Sequence, residues 1–87
     1  MQLLSVGYGS VVNTDRIVAI LDADSAPIKR AIQEAKESGK LIDATYGRKT
    51  RSVLVMDSGH LLISAIASET IAGRAGGKEK TEEEETR

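Results

Sequence analysis

Three basic side chains, Arg48, Lys49 and Arg51, stand within four positions of this 87-residue sequence, with no acidic residue among them. Like charges placed so close together repel each other, and solubility alone does not require three of them in one loop. A polyanion such as a nucleic acid would favour the arrangement, because its phosphates neutralise all three charges. The alternative is a solvated loop that is polar only for solubility. We interpret residues 48–51 as a polyanion-binding loop.

The other side chains that could do chemistry form no recognisable catalytic set. His60 is the only histidine and the sequence has no cysteine, so it can build neither a Cys/His nucleophile pair nor a Cys-rich zinc site. Asp43 and Asp57 are expected far apart along two predicted strands, unlike the converging carboxylates of a glycosidase or a metal site. We therefore expect a protein that is not an enzyme and that uses no metal or cofactor.

The charge of the chain is nearly balanced, so a polyanion site must come from local concentration of basic residues. The formal net charge is −1, from 12 Lys and Arg against 13 Asp and Glu. Residues 78–87 hold three of the basic and five of the acidic side chains, which leaves 9 basic and 8 acidic side chains in residues 1–77. The two tyrosines, without any Phe or Trp, argue against binding of single strands by base stacking, which needs aromatic platforms.

The sequence carries no pattern typical of a secreted or membrane protein. Its first residues, MQLLSVGYG, lack the basic region of a signal peptide, and their apolar run is interrupted at Ser5 and Gly7. No stretch approaches the roughly 18 apolar residues that a membrane-spanning helix needs. The absence of cysteine is compatible with a reducing compartment. We expect a cytoplasmic protein.

The pattern of apolar residues and turn signals predicts an α+β domain with a small antiparallel-rich sheet. The main helix should start after Ser25 and stop at Gly39, because Ile28, Ala31 and Ile32 begin one apolar stripe between these signals. A short C-terminal helix is expected at residues 69–74. Two of the strands should form a hairpin with the basic residues at its tip. The predicted strands span residues 2–6, 16–21, 41–46, 52–56 and 60–66.

The width of the predicted sheet suggests self-association. Five strands make a sheet roughly 20 Å wide, whereas one helix is only about 10 Å across. Strands 16–21 and 52–56 are apolar on both faces, which is typical of strands that are buried on both sides. An uncovered face would form a larger apolar patch than monomers tolerate, so we expect other copies of the chain to cover it.

The end of the sequence differs in composition from the rest. After residue 75 it has no apolar side chain, and four consecutive glutamates stand at residues 82–85. Such a segment cannot bury enough apolar surface to fold. We predict one domain at residues 1–75 and a disordered acidic tail at residues 76–87.

Several stretches of the sequence resemble the RemA family, bacterial regulators of extracellular matrix genes. The longest are LIDATYGRKTR at residues 41–51 and VLVMDSGHLLISAI at residues 53–66. SAPIKR at residues 25–30, the VGYGSVV near the start and the NTDRI that contains Arg16 fit the same pattern. The likeness runs from about residue 3 to about residue 74, and only the tail lies outside it.

The resemblance implies a DNA-binding transcriptional regulator without a helix-turn-helix, acting on biofilm and extracellular matrix genes and associated with the nucleoid. It implies closed homo-oligomeric rings of about seven or eight subunits, an octamer among them. The DNA-contacting positions of the family fall on Arg16, Arg48 and Arg51, and Lys49 stands where the family commonly has Arg. Lys keeps the charge but loses the planar fork, so it can hold a phosphate without bidentate geometry. The expected partners are double-stranded DNA and other copies of the chain, with no membrane and no small-molecule ligand.

Two alternatives remain open at the level of sequence. One is a ring that binds RNA, because phosphate contacts alone do not separate A-form from B-form helices. The other is a structural interaction module whose basic loop meets an acidic protein. Competition with matched duplex RNA would identify the first, and a shallow salt dependence without any shift of DNA would identify the second.

Overall fold

Residues 2–76, which the computed structural model describes, form six strands, one 3₁₀ turn at Thr14–Arg16 and two α-helices. Neither helix of this part is long and apolar enough to cross a membrane. The predicted tail at residues 76–87 lies outside the described residues, except for Gly76 at the end of the last helix. The elements are β1 (Leu3–Gly7), β2 (Ser10–Asn13), β3 (Ile17–Asp22), α1 (Ala26–Glu37), β4 (Leu41–Asp43), β5 (Ser52–Met56), β6 (Leu61–Ser64) and α2 (Ser68–Ala75).

The strands form two sheets. β1 and β2 make an antiparallel pair, and the other four strands form a sheet in the order β3-β5-β6-β4. Within that sheet β5 is antiparallel to both neighbours, and β4 is parallel to β6. The predicted α+β class, with antiparallel pairs in the majority, one main helix and a short C-terminal helix, is confirmed. The predicted ring assembly stays a prediction.

The predicted hairpin of residues 41–46 and 52–56 is wrong. β4 ends at Asp43 and pairs with β6, which lies between β4 and β5. The β-prone run stops there because the Asp43 side chain accepts hydrogen bonds from both the backbone N–H and the hydroxyl of Thr45, at 2.8 and 2.6 Å. Such local side-chain bonds compete with the strand ladder and turn the backbone. The chain then crosses the end of β6 to reach β5.

The strand β2 is absent from the sequence prediction. Its four residues, SVVN, are few, and polar residues stand at both ends. Tyr8 and Gly9 form the loop that connects β1 to β2, and their φ angles are 55° and 86°. A two-residue hairpin loop with positive φ at both positions is the type I′ geometry, whose twist matches that of the paired strands.

The four-stranded sheet is covered on both faces within one chain. α1 packs on one face through Ile28 and Ile32, against a cluster that includes Val53 and Ile63. The β1–β2 hairpin and α2 pack on the other face, where the buried cluster comprises Leu4, Val6, Ala44, Leu54, Leu62 and Ile71. The argument that this face needs a second copy of the chain to cover it is therefore wrong. β1 is not part of the four-stranded sheet but packs on its face.

Candidate nucleic-acid interface

The loop between β4 and β5, residues 44–51, carries the three neighbouring cations and is called the basic loop below. It is anchored at both ends on the last residues of β6. The backbone N–H of Ala44 donates to the carbonyl of Ile63 at 2.9 Å, and that of Arg51 donates to the carbonyl of Ser64 at 2.8 Å. Because consecutive residues of one strand hold its two ends, the loop projects from a narrow base.

The first turn of the basic loop is held by Asp43. Hydrogen bonds from the side chain and then the backbone of Thr45 lower the pKa of the Asp43 carboxyl below its ordinary value. A carboxyl with a depressed pKa contributes stability above its unfolded-state pKa, and this contribution is lost as the pH falls through the folded-state pKa. The anchor of the basic loop is therefore intact at neutral pH.

The tip of the basic loop is a second tight turn. The backbone N–H of Arg48 donates to the carbonyl of Thr45 at 3.1 Å, and the two residues between them, Tyr46 and Gly47, have φ angles of 53° and 82°. A left-handed backbone costs a side chain with a Cβ roughly 1–2 kcal/mol, so Tyr46 is strained where glycine or asparagine would not be. Residues 46–49 are all exposed.

Arg48 does not extend freely into solvent. The central carbon of its guanidinium lies 4.1 Å from the centre of the Tyr8 ring, in a cation–π contact. The Tyr8 ring in turn lies 6.0 Å from the Tyr46 ring, with the two planes tilted by 50°. The hydroxyls of Tyr46 and Ser10 are 3.4 Å apart. The two Tyr-Gly turns thus meet at the surface beside a basic residue.

Lys49 and Arg51 border an open cleft of about 340 Å³ next to the start of α2. Carboxylates also line this cleft, but within residues 2–76 neither Lys49 nor Arg51 forms an ion pair. Both cations therefore remain available to an anionic partner. The cleft is lined by Asp22, Asp24, Lys49, Arg51, Ala67, Ser68 and Glu69.

Arg16 lies away from the other three predicted residues. It precedes β3, whereas Arg51 precedes β5, and these two strands are antiparallel. Arg16 is level with Asp57, and its guanidinium pairs with that carboxylate at 3.2 Å. Since a strand rises about 3.4 Å per residue, the six positions from Arg51 to Asp57 span roughly 20 Å. One chain therefore presents two separate basic points instead of one patch.

Comparison with known proteins decides which family this is. A family model described as "RemA-like: Extracellular matrix regulatory protein A-like" matches residues 3–75, which include every strand and helix of the structure. The chain belongs to the RemA-like family. It is 56% identical over 84 residues to proteins named "Putative regulatory protein" from Bacillus cereus strain AH187, Bacillus cytotoxicus and Bacillus mycoides. In each case 97% of this chain and 97% of the relative are covered.

In this RemA-like structure two aromatic residues lie next to the basic loop. Their position there was not predicted from the sequence. Tyr8 and Tyr46 are 47% and 62% exposed, which is unusual for the only aromatic side chains of a small domain. Their signal in the sequence is the dipeptide Tyr-Gly, present at residues 8–9 and 46–47. Because 36 residues separate the two dipeptides, the sequence alone does not show that they are neighbours.

Proposed function

We propose that this RemA-like chain is a regulatory protein that binds duplex DNA through basic loops repeated around a closed homo-oligomeric ring. The observation that carries the proposal is the basic loop itself, an exposed turn anchored at both ends whose Lys49 and Arg51 have no ion-pair partner within residues 2–76. The regulatory role, including control of extracellular matrix genes, is supported by the family description and by the names of the relatives. A ring bound to DNA would be associated with the nucleoid.

Multivalency is needed because each protomer offers few charges. Arg48, Lys49 and Arg51 can neutralise about three phosphates, which is too few for stable binding at cellular salt concentrations. A second contact made by a linked protomer is intramolecular, so several weak loops together reach an avidity far above that of one loop. Repeated phosphate contacts without base readout would favour DNA that bends easily around the ring.

Apolar side chains left on the surface support the assembly part of the proposal. Within residues 2–76, Val18 is 67% exposed and lies at an irregularity of the edge strand β3. Leu3 and Val11 are 60% and 58% exposed on the β1–β2 hairpin, and Ile42 is 45% exposed on the opposite edge strand β4. Exposed β-branched residues on both edges of one sheet suit a head-to-tail contact, which closes into a ring when the rotation permits.

Arg16 can contribute to the same interface while its ion pair is intact. Its side chain is 65% exposed, and the Asp57 carboxylate occupies only part of the five N–H donors of the guanidinium. The remaining donors can reach a phosphate. We place Arg16 at a second line of phosphate contacts, roughly 20 Å from the basic loop of the same protomer.

Light scattering coupled to size exclusion should find a stable oligomer at micromolar protein concentration. The monomer mass is 9.3 kDa, so rings of seven or eight protomers would give about 65–75 kDa. Replacing the most exposed edge residue, Val18→Asp, should lower this mass because a charge would be buried in the contact. Recovery of the unaltered chain as a 9.3 kDa monomer would contradict both the ring and the avidity argument.

Binding of DNA should weaken steeply as salt rises. The slope of log K against log salt is about −0.9 for each phosphate neutralised, so four basic residues of one protomer could give a slope of at most about −4. A ring that contacts DNA through several protomers should exceed this limit, and Lys49→Ala should reduce the slope by more than one unit. Lys36→Ala removes the same charge from the exposed end of α1 and is the matched control.

The function itself is tested by fluorescence anisotropy with duplex DNA from upstream of the chain's own gene. We expect specific DNA to bind the oligomer and a matched RNA duplex to compete poorly. Equal competition by the RNA duplex would favour an RNA-binding ring. If the slope of log K against log salt, measured on a confirmed oligomer, were clearly shallower than the limit for one protomer, this would contradict the multivalent mechanism.

A further inference from the structure

We infer that Tyr8 is a positioning residue for Arg48, holding the guanidinium against its ring in the orientation that meets a DNA phosphate. This inference rests on the proposed DNA-binding function. The observation behind it is the distance of 4.1 Å between the guanidinium carbon of Arg48 and the centre of the Tyr8 ring, in a part of the surface where both residues are exposed.

The contact leaves the donors of Arg48 available. A guanidinium that lies over an aromatic ring uses one of its faces, and its five N–H groups point outward in the plane of the group. Within residues 2–76 these N–H groups have no carboxylate partner. The cation–π contact with Tyr8 is therefore compatible with a simultaneous contact to a phosphate, whereas an ion pair would compete with one.

The gain from stacking is preorganisation. A free arginine side chain samples many rotamers, and holding it in one geometry on binding opposes association. The aromatic side chain of Tyr8 already confines Arg48, so part of this penalty is removed before DNA binds. In a ring of protomers the gain recurs at every basic loop that touches the duplex, so a small effect per loop multiplies.

The backbone conformation of Tyr8 indicates that folding alone does not explain a tyrosine at this position. The φ angle of Tyr8 is 55°, and a type I′ turn favours asparagine or glycine at this position. A bulky residue in the left-handed region is an outlier that persists where another requirement outweighs it. The Tyr8 side chain is also 47% exposed, so burial in the core does not explain it.

Tyr46 supports the same arrangement from the other side. Its ring is 6.0 Å from that of Tyr8, tilted by 50°, within the range of favourable aromatic pairs. Its hydroxyl lies 3.4 Å from that of Ser10, on the strand that follows the Tyr8-Gly9 turn. The β1–β2 hairpin and the basic loop are thereby joined at their tips. This contact fixes the position of the Tyr8 ring relative to the basic loop.

The decisive variant is Tyr8→Asn in the full-length oligomer. Asparagine tolerates the left-handed backbone, so the melting temperature should stay unchanged or rise, while DNA affinity should fall by at least about threefold because the stacking contact is lost. The slope of log K against log salt should stay the same, because no charge is removed. Tyr8→Phe keeps the ring and should bind DNA as the unaltered chain does.

A double-mutant cycle separates this inference from the proposed function. In an Arg48→Ala background, Tyr8→Asn should have no further effect on DNA affinity, because there is no guanidinium left to position. Unchanged affinity of Tyr8→Asn, or an equal loss in both backgrounds, would overturn the positioning role while leaving DNA binding intact. If Arg48→Ala itself bound DNA normally, the positioning role would fall, and the assignment of Arg48 to the interface would fall with it.

Discussion

Arg51→Ala is expected to reduce DNA affinity by more than about 100-fold while the protein stays folded and assembled. A charge-assisted contact is worth on the order of 1 kcal/mol or more, and three protomers on one duplex would lose about 3 kcal/mol together. Every 1.4 kcal/mol is tenfold in affinity. The loss is therefore far larger than one contact would give. Arg48→Ala should behave in the same way.

The structure gives reasons why these variants should fold. Arg51 is held through its backbone, by N–H donation to Ser64 and by carbonyl acceptance from Ala23, and alanine keeps both bonds. Arg30→Ala is the matched control, because it removes an arginine from the exposed surface of α1. Anisotropy titrations should show normal affinity for Arg30→Ala only. Full affinity of Arg51→Ala in an oligomer of normal mass would mean that the basic loop serves solubility.

Ile71→Ala should lower the free energy of unfolding by about 2–5 kcal/mol, the range for large-to-small substitutions in well-packed cores. Ile71 is completely buried and belongs to the cluster that joins α2 to β1 and the sheet. Alanine would leave a cavity there, because the surrounding structure relaxes only partly around a deleted side chain. Since small domains have only about 5–15 kcal/mol in total, this single change approaches the limit of stability.

Chemical denaturation followed by circular dichroism would measure this loss. The comparison must be made at one protein concentration, because the proposed assembly would add to apparent stability by mass action. Thr70→Ala, at the exposed neighbouring position of α2, is the control and should change the free energy of unfolding by less than about 0.5 kcal/mol. A loss below about 1 kcal/mol for Ile71→Ala would show that α2 contributes little to the core.

Local patterns in the sequence predicted the parts of this fold that depend on neighbouring residues. The apolar stripe of Ile28 and Ile32 identified α1, and the φ of 77° at Gly39 agrees with its predicted end. The exposed position of Lys49 was equally predictable, because three like charges in one loop do not become buried.

What sequence patterns missed depends on contacts between distant segments. The ion pair of Arg16 joins it to Asp57, 41 residues away. The pairing partner of β4 could not be predicted from its own three residues. Its parallel pairing with β6 depends on where the chain leaves α1. The contact of Tyr8 with Arg48 depends on two turns whose left-handed backbone tyrosine does not favour.

The meeting of β1 and α2 in one core also determines when this part of the chain can fold during its synthesis. Leu4 and Val6 share their buried cluster with Ile71, and the Arg74 side chain donates to the carbonyl of Ser5 at 3.0 Å. A ribosome adds about 5–20 residues per second, so residue 71 follows residue 4 by about 3–13 s. Throughout that interval the apolar face of β1 has no helix to cover it. Native packing must therefore wait until almost all of residues 2–76 have left the ribosome, and until then the apolar side chains of β1 stay uncovered.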